Sequence, residues 1–246
     1  MSSASAGKAQ IDAQLAWDGV FRDPEWMFKT GLGGMLSAAS LVLSAASLMT
    51  WPLSIAISAV LAGYVLRVAR ARIADTNAKL PEWNEWMDLL MSGLSWMAVQ
   101  FVFNLAVPFS AVALISLGRM AHFMDFNSPY FLPFAVFGIL DIVVLSLLIN
   151  LTLAYLMMNF AVEENMSAGW QPMRVFMQIA KAPKTFLIAW LLGFGIQIIM
   201  TVVPVITVIG LFFLPTTLFV GQIINATLLA QAWSSVEPPV SVSQKD

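Results

Sequence analysis

The chain has no cysteine and one histidine, His122. Without cysteine there is no disulfide, no thiol nucleophile and no cysteine-ligated cluster. A single histidine gives little basis for a histidine-based metal or haem site. Charge is scarce as well: 11% of the 246 residues are acidic or basic, against about 25% in an ordinary soluble domain. The net charge of −2 offers no basic footprint for nucleic acid. G-x-S-x-G, H-E-x-x-H, P-loop and Rossmann glycine patterns are all missing, so the chain reads as non-enzymatic, with no cofactor and no metal. The first thirty residues carry Lys8, Asp12, Asp18, Arg22, Asp23, Glu25 and Lys29 and no apolar run, so no signal peptide is expected there.

Apolar residues are what the chain does have. They make up 59% of it, and mean hydropathy is +0.82. A soluble fold of this composition could not cover its surface with polar groups, which points to an integral membrane protein. Six apolar stretches stand out, at 31–49, 53–66, 94–117, 131–160, 186–209 and 211–233. Each approaches the roughly 20 residues that a helix needs to cross hydrocarbon. Pro108 and Pro204 should bend their helices rather than end them. The expected fold is an all-α membrane protein with six transmembrane helices in three hairpins and interfacial helices on the cytoplasmic side. Residues 10–236 form one domain, between disordered tails at 1–9 and 237–246.

Basic residues set the orientation. Of the 12 Lys and Arg residues, only Arg119 falls in a segment assigned to the outer side. Both termini are therefore expected in the cytoplasm. Trp17, Trp26, Trp83, Trp86, Trp170 and Trp233 fall in or beside the inner segments, while Trp51 sits at the outer edge.

A Pro-Glu-Trp triplet occurs twice, at 24–26 and 81–83, each time ahead of a hydrophobic run. Proline and glutamate suit a first helical turn, and tryptophan suits the headgroup level, so each copy reads as a helix start at the inner interface. Residues 167–182 make the best amphipathic helix. Trp170, Met173, Met177 and Ala180 share one face; Gln171, Arg174, Gln178 and Lys181 share another; Ser167 can cap the start. Such a helix either senses lipid or docks a partner, or simply connects two spans. Gly33, Ser37, Ser40, Ser44 and Ser47 trace a small-residue face that matches Ser54, Ser58 and Ala62, with Ala59 and Gly63 beside them. That predicts close packing of the first two spans, or dimerisation through the same face.

Asp141 is the one acid inside an apolar run. Burying it in lipid costs about 2.5–3.5 kcal/mol on insertion scales, so it should face protein or water. Arg119 is a plausible partner with His122 nearby, forming a proton or cation relay or a structural ion pair. Asn104, Asn150, Gln197, Gln222 and Asn225 either bridge helices or line a polar pocket. Glu82, Glu85 and Asp88, spaced three apart, would share one face of a short helix, either as a weak cation site or as a solvated face.

Residues 63–94 read GYVLRVARARIADTNAKLPEWNEWMDLLMSGL. This stretch resembles a family of prokaryotic integral membrane proteins catalogued as domain of unknown function 4013. The resemblance is carried by Gly63, Tyr64, Leu66, Arg67, Arg70, Leu80, Pro81, Trp83, Trp86, Gly93 and Leu94. It implies a multi-span protein of a prokaryotic inner or internal membrane and supplies no activity. On the residues alone, Arg67 and Arg70 lie one turn apart at the headgroups, Glu82 sits at a helix start, and Trp83 and Trp86 anchor the re-entry. The leading functional expectation is a scaffold that binds the bilayer, and a membrane-protein partner or a second copy, through its inner face. The alternative is a transporter or channel for a small solute or lipid-like substrate, using Asp141 and the intramembrane amides.

Overall fold

A computed structural model describes residues 11–163, 165–207 and 210–236. The two predicted tails lie outside these residues. Every element among them is helical: α1 (Ala13–Phe21), α2 (Trp26–Ala46), α3 (Trp51–Ala74), α4 (Trp86–Asn104), α5 (Ala106–Met120), α6 (Phe131–Glu163), α7 (Pro172–Lys181), α8 (Pro183–Ile206) and α9 (Gly210–Ser234). Five helical stretches are long and apolar enough to cross a membrane: Leu48–Ala74, Trp86–Met120, Phe131–Glu163, Pro183–Ile206 and Gly210–Ser234. The protein is thus an all-helical, multi-pass membrane type. Although α2 is 21 residues long, its serines, its glycines and Lys29 keep it out of that set.

Local sequence explains the breaks. Asp12 caps α1, its carboxylate accepting from Leu15 N–H at 2.9 Å. Between α2 and α3 the chain turns at an extended Ser47 and a short 3-10 helix, Leu48–Thr50. Orphan carbonyls at the end of α2 are met by side chains from the turn: Thr50 Oγ1 donates to Leu43 O at 2.5 Å and Trp51 Nε1 to Ser44 O at 3.0 Å. Pro52 sits in the first turn of α3, where its missing N–H costs nothing. Beyond the apolar stretch at 53–66, α3 continues through RVARARIA to Ala74. Leu105 alone separates α4 from α5, just ahead of Pro108, whose ring removes the bond to the Asn104 carbonyl. Pro204 stays inside α8.

The core forms where small residues allow backbones to approach. Ser40 Oγ lies 3.0 Å from Ser54 Oγ and 2.7 Å from Ser58 Oγ, and Ser54 Oγ donates to Ser40 O at 2.9 Å. The predicted serine faces of α2 and α3 therefore meet within one chain. Gly33 and Gly34 let α2 lie against Phe219 and Thr216 of α9. Ala59 and Gly63 face a different neighbour, Leu89 and Gly93 of α4. By contrast, α5 and the first half of α6 pack chiefly on each other and leave Phe109, Val112, Leu132, Val136 and Leu140 exposed. A hydrocarbon surround accounts for such a surface.

Candidate functional site

The two Pro-Glu-Trp segments meet. They do so around Lys29, on the first turn of α2, which is only 3% exposed. Its Nζ donates to Leu80 O at 2.9 Å and lies 3.2 Å from Asp23, 2.7 Å from Glu82 and 3.6 Å from Glu25. Asp23 is equally buried, at 4% exposure. Its oxygens accept from Lys29, from Glu25 N–H at 2.8 Å and from Leu80 N–H at 3.0 Å. Trp83 Nε1 donates to Lys29 O at 3.0 Å, and the Trp83 ring stacks on Tyr64 with centroids 3.9 Å apart. Tyr64 in turn donates to Pro81 O at 2.9 Å. One buried ammonium thus ties the entry to α2 to the entry to α4.

This arrangement corrects two expectations. Neither proline lies in a first helical turn, because α2 begins at Trp26 and α4 at Trp86, after a left-handed Glu85. Nor do Glu82, Glu85 and Asp88 share a helix face. Glu82 pairs with Lys29, while Glu85 and Asp88 pair with Arg67 at 3.1 and 3.0 Å. No group of three potential metal ligands occurs among the described residues.

Arg67, Arg70 and Arg72, at the end of α3, each bind a different segment. Arg67 also donates to Asn84 Oδ1 at 2.6 Å. Arg70 Nε donates to Ala161 O on α6 at 3.0 Å. Arg72, 2% exposed, donates to Gly19 O on α1 at 2.7 Å and to Thr76 O at 2.8 Å. At this basic end, then, the motif residues hold the chain to itself.

Burial pushes the Asp23 carboxyl up, but the Glu25 N–H, then Lys29, then the Leu80 N–H outweigh it and hold the group below its ordinary 3.8. A lowered folded-state value contributes stability above the ordinary value, and that contribution disappears as pH falls through the lower one. Thermal melts should therefore stay level, as far as this group is concerned, from neutral pH down to about 5, and drop below about 4. In Asp23→Asn that acid-side drop should be shallower; an identical drop would remove Asp23 as its source.

Between the helices lie two adjoining cavities of about 620 and 400 Å³. Trp96, Gln100, Met157 and Asn225 line both. The larger adds Ser37, Ser40, Ser44, Ser54, Ser58 and Gln222; the smaller adds Asn104, Ser146 and Asn150. Hydroxyls and amides from α2, α3, α4, α6 and α9 thus converge among the membrane-type helices. Asn150 Oδ1 accepts from Trp190 Nε1 at 3.0 Å, and Asn104 Nδ2 donates to Gln100 O at 2.8 Å. Asn225 Oδ1 and Gln197 Oε1 are seated over Gly193 and Gly221 at the α8–α9 contact, where they are buried with no hydrogen-bond partner among the described residues.

Asp141 is not in either lining. It accepts from Ser110 Oγ on α5 at 2.5 Å. Arg119 lies nine residues beyond Ser110, about 14 Å along the helix, and no ion pair joins it to Asp141 among the described residues. His122 follows in the exposed turn, with a left-handed backbone at φ 56°. The trio expected from charge alone is therefore split.

The amphipathic segment begins later than its sequence suggests. Asn165, not Ser167, caps a short 3-10 helix, Met166–Trp170, and α7 starts at Pro172. The short helix packs against α4, with Trp170 beside Phe103 and Gly169 against Val99, and the buried Ala168 carbonyl accepts from Asn159 Nδ2 at 2.9 Å. On α7, Val175 and Gln178 turn inward, while Met173, Phe176, Met177 and Ala180 face out. Arg174 pairs with Glu163, and Lys181 Nζ donates to Gln178 Oε1 at 2.8 Å.

Sequence reasoning missed Lys29 and Asp23 as a site. The available signal was the repeated triplet itself, with acids four and six residues before Lys29. Gln100 and the serines of the cavity wall were also missed as pocket residues. Compared with known families, residues 46–212 match one described as a protein of unknown function, DUF4013. No curated protein matches the chain, and no solved structure does.

Proposed function

The chain belongs to the DUF4013 family, and on that premise we propose that it is a non-enzymatic membrane protein which binds a lipid-like or small polar molecule inside its helix bundle. In this reading α2 is a sixth span, paired with α3 as the first of three hairpins. Both termini and the basic end face the cytoplasm of a prokaryotic cell, and the membrane is the inner one or an internal one. The excess of Lys and Arg at that end supports the orientation. The observation that carries the function is the pair of cavities sharing Trp96, Gln100, Met157 and Asn225. Serines and amides between membrane helices also serve to bridge them, but the Gln100 and Gln222 side chains make no hydrogen bond to any described residue and are left to face the cavity. Asp141 lies outside both linings and accepts from Ser110, so this reading does not draw on it.

A second reading, a scaffold that holds a membrane-protein partner or a second copy, is favoured by one feature, the outward apolar face of α7. The motif residues Arg67, Arg70, Pro81, Glu82 and Trp83 are less available for docking, because each is bonded within the chain, whereas Trp86 is 46% exposed.

The two readings separate in one experiment. The full chain is extracted in mild detergent, and bound molecules are identified by native mass spectrometry. A small molecule or lipid bound at near one per chain, and lost in Gln100→Leu, is expected. Chains that carry a protein partner and no small molecule would reverse the order of the two readings.

A further inference from the structure

The cavity walls say more about the ligand than that it is polar. Among the described residues no Asp, Glu, Lys, Arg or His lines either cavity. A phosphate or an ammonium group brought there would lack a counter-charge in a low-dielectric setting. The polar groups on offer are neutral and of two kinds. The serine hydroxyls spend their protons locally, Ser37 on Gly33 O and Ser44 on Leu41 O at 2.8 Å each, and keep acceptor lone pairs. The Gln100 and Gln222 side chains make no hydrogen bond to any described residue and offer both donors and acceptors. Unmatched amides between membrane helices call for a partner that the protein itself does not supply.

The remaining wall is apolar, made by Leu41, Leu61, Val65, Met97 and Met157. Leu41 is 62% exposed, and Ser44 and Gln222 are exposed too. The larger cavity therefore opens sideways, through the flank that meets hydrocarbon if α2 spans the membrane. A ligand that enters by this route comes from the bilayer and leaves its apolar part there.

Resting on the binding reading above, we propose that the site takes the uncharged, hydroxyl-bearing head of a membrane amphiphile, of the diacylglycerol class, in preference to a charged phospholipid. The head lies between Gln100 and Gln222 and the serines of α2 and α3, with a chain leaving past Leu41. Hydroxyls suit such walls because each one both donates and accepts.

The test is a competition on the full-length protein, read by native mass spectrometry. Dioleoylglycerol is titrated against dioleoylphosphatidate, which has the same chains with a charged head. The glycerolipid should be retained at least ten-fold better. Gln100→Leu and Gln222→Leu should each reduce its retention several-fold, with thermal melts confirming that both variants fold. Retention of phosphatidate as well as or better than dioleoylglycerol would overturn the assignment of the head while leaving cavity binding in place. Dioleoylglycerol binding untouched by both substitutions would place the lipid elsewhere and overturn the proposal. If neither lipid is retained, the proposal falls, and if the extracted protein carries no small molecule at all, the binding reading falls with it.

Discussion

Lys29→Met should be the most damaging single change to this chain. It removes the ammonium and leaves Asp23 buried with its charge uncompensated. Breaking a buried pair from one side costs about 3–5 kcal/mol. For a chain of this size that corresponds to a fall in melting midpoint on the order of 10 °C, measured in detergent by loss of the monodisperse peak. The methionine fills much of the same space, so lost packing contributes little. Asp23→Asn combined with Lys29→Met should be milder than Lys29→Met alone, because no unpaired charge then remains inside. Equal damage in the single and the double variant would show that the pair is not what holds the two segments together. Trp83→Ala should act on the same joint, since it removes the bond to Lys29 O and the stack on Tyr64.

The second large effect is expected at Gly93. A Cβ there would stand 1.7 Å from the Ala59 carbonyl oxygen, and one at Gly63 would stand 2.0 Å from the Leu89 carbonyl oxygen. Both obstacles are backbone, which cannot swing aside as a flexible side chain can. Even alanine must push α3 and α4 apart, and overpacking of this kind costs about 1–3 kcal/mol or more. Gly93→Ala and Gly63→Ala should each lower thermal stability and cell yield, and the pair together should abolish folding. Gly195→Ala on α8 is the matched control, because nothing lies within 4 Å of its would-be Cβ. There, alanine removes a helix-interior glycine and should leave stability unchanged or raise it by up to about 1 kcal/mol. A Gly93→Ala protein that melts with wild type would show that α3 and α4 do not approach so closely.

These two joints also mark how far the sequence could be read. Five of the six expected spans were legible, because hydropathy and the roughly 20-residue rule are local properties, whereas the stretch at 31–49 falls largely in α2, which is not apolar enough to join them. The fourth stretch begins at Phe131 in both readings. Pairing of Ser40 with Ser54 and Ser58 was legible too, since a short turn leaves two neighbouring small faces few other partners. The convergence on Lys29 was not. It joins residues 51 apart, Lys29 and Leu80, and nothing in the spacing within either segment encodes that meeting. Arg72 shows the same limit from the other side. A basic residue at a helix end reads as a headgroup contact, yet it is buried against Gly19 O and Thr76 O. Charge alone paired Asp141 with Arg119, but the side chain took the nearer hydroxyl of Ser110. The cavity depends on five helices coming together, and so its lining could be only partly guessed from the isolated amides.

The length of α6 has a consequence for the bilayer itself. Its 33 residues extend about 50 Å, whereas typical hydrocarbon is only about 30 Å thick. The surplus is taken up by leaning, by local thickening of the leaflets, at fractions of a kcal/mol per Å of mismatch, or by projection of the end at 159–163 beyond the headgroups. Where leaning takes up the surplus, thermal stability in vesicles is expected to rise with acyl-chain length over the range that eases the mismatch.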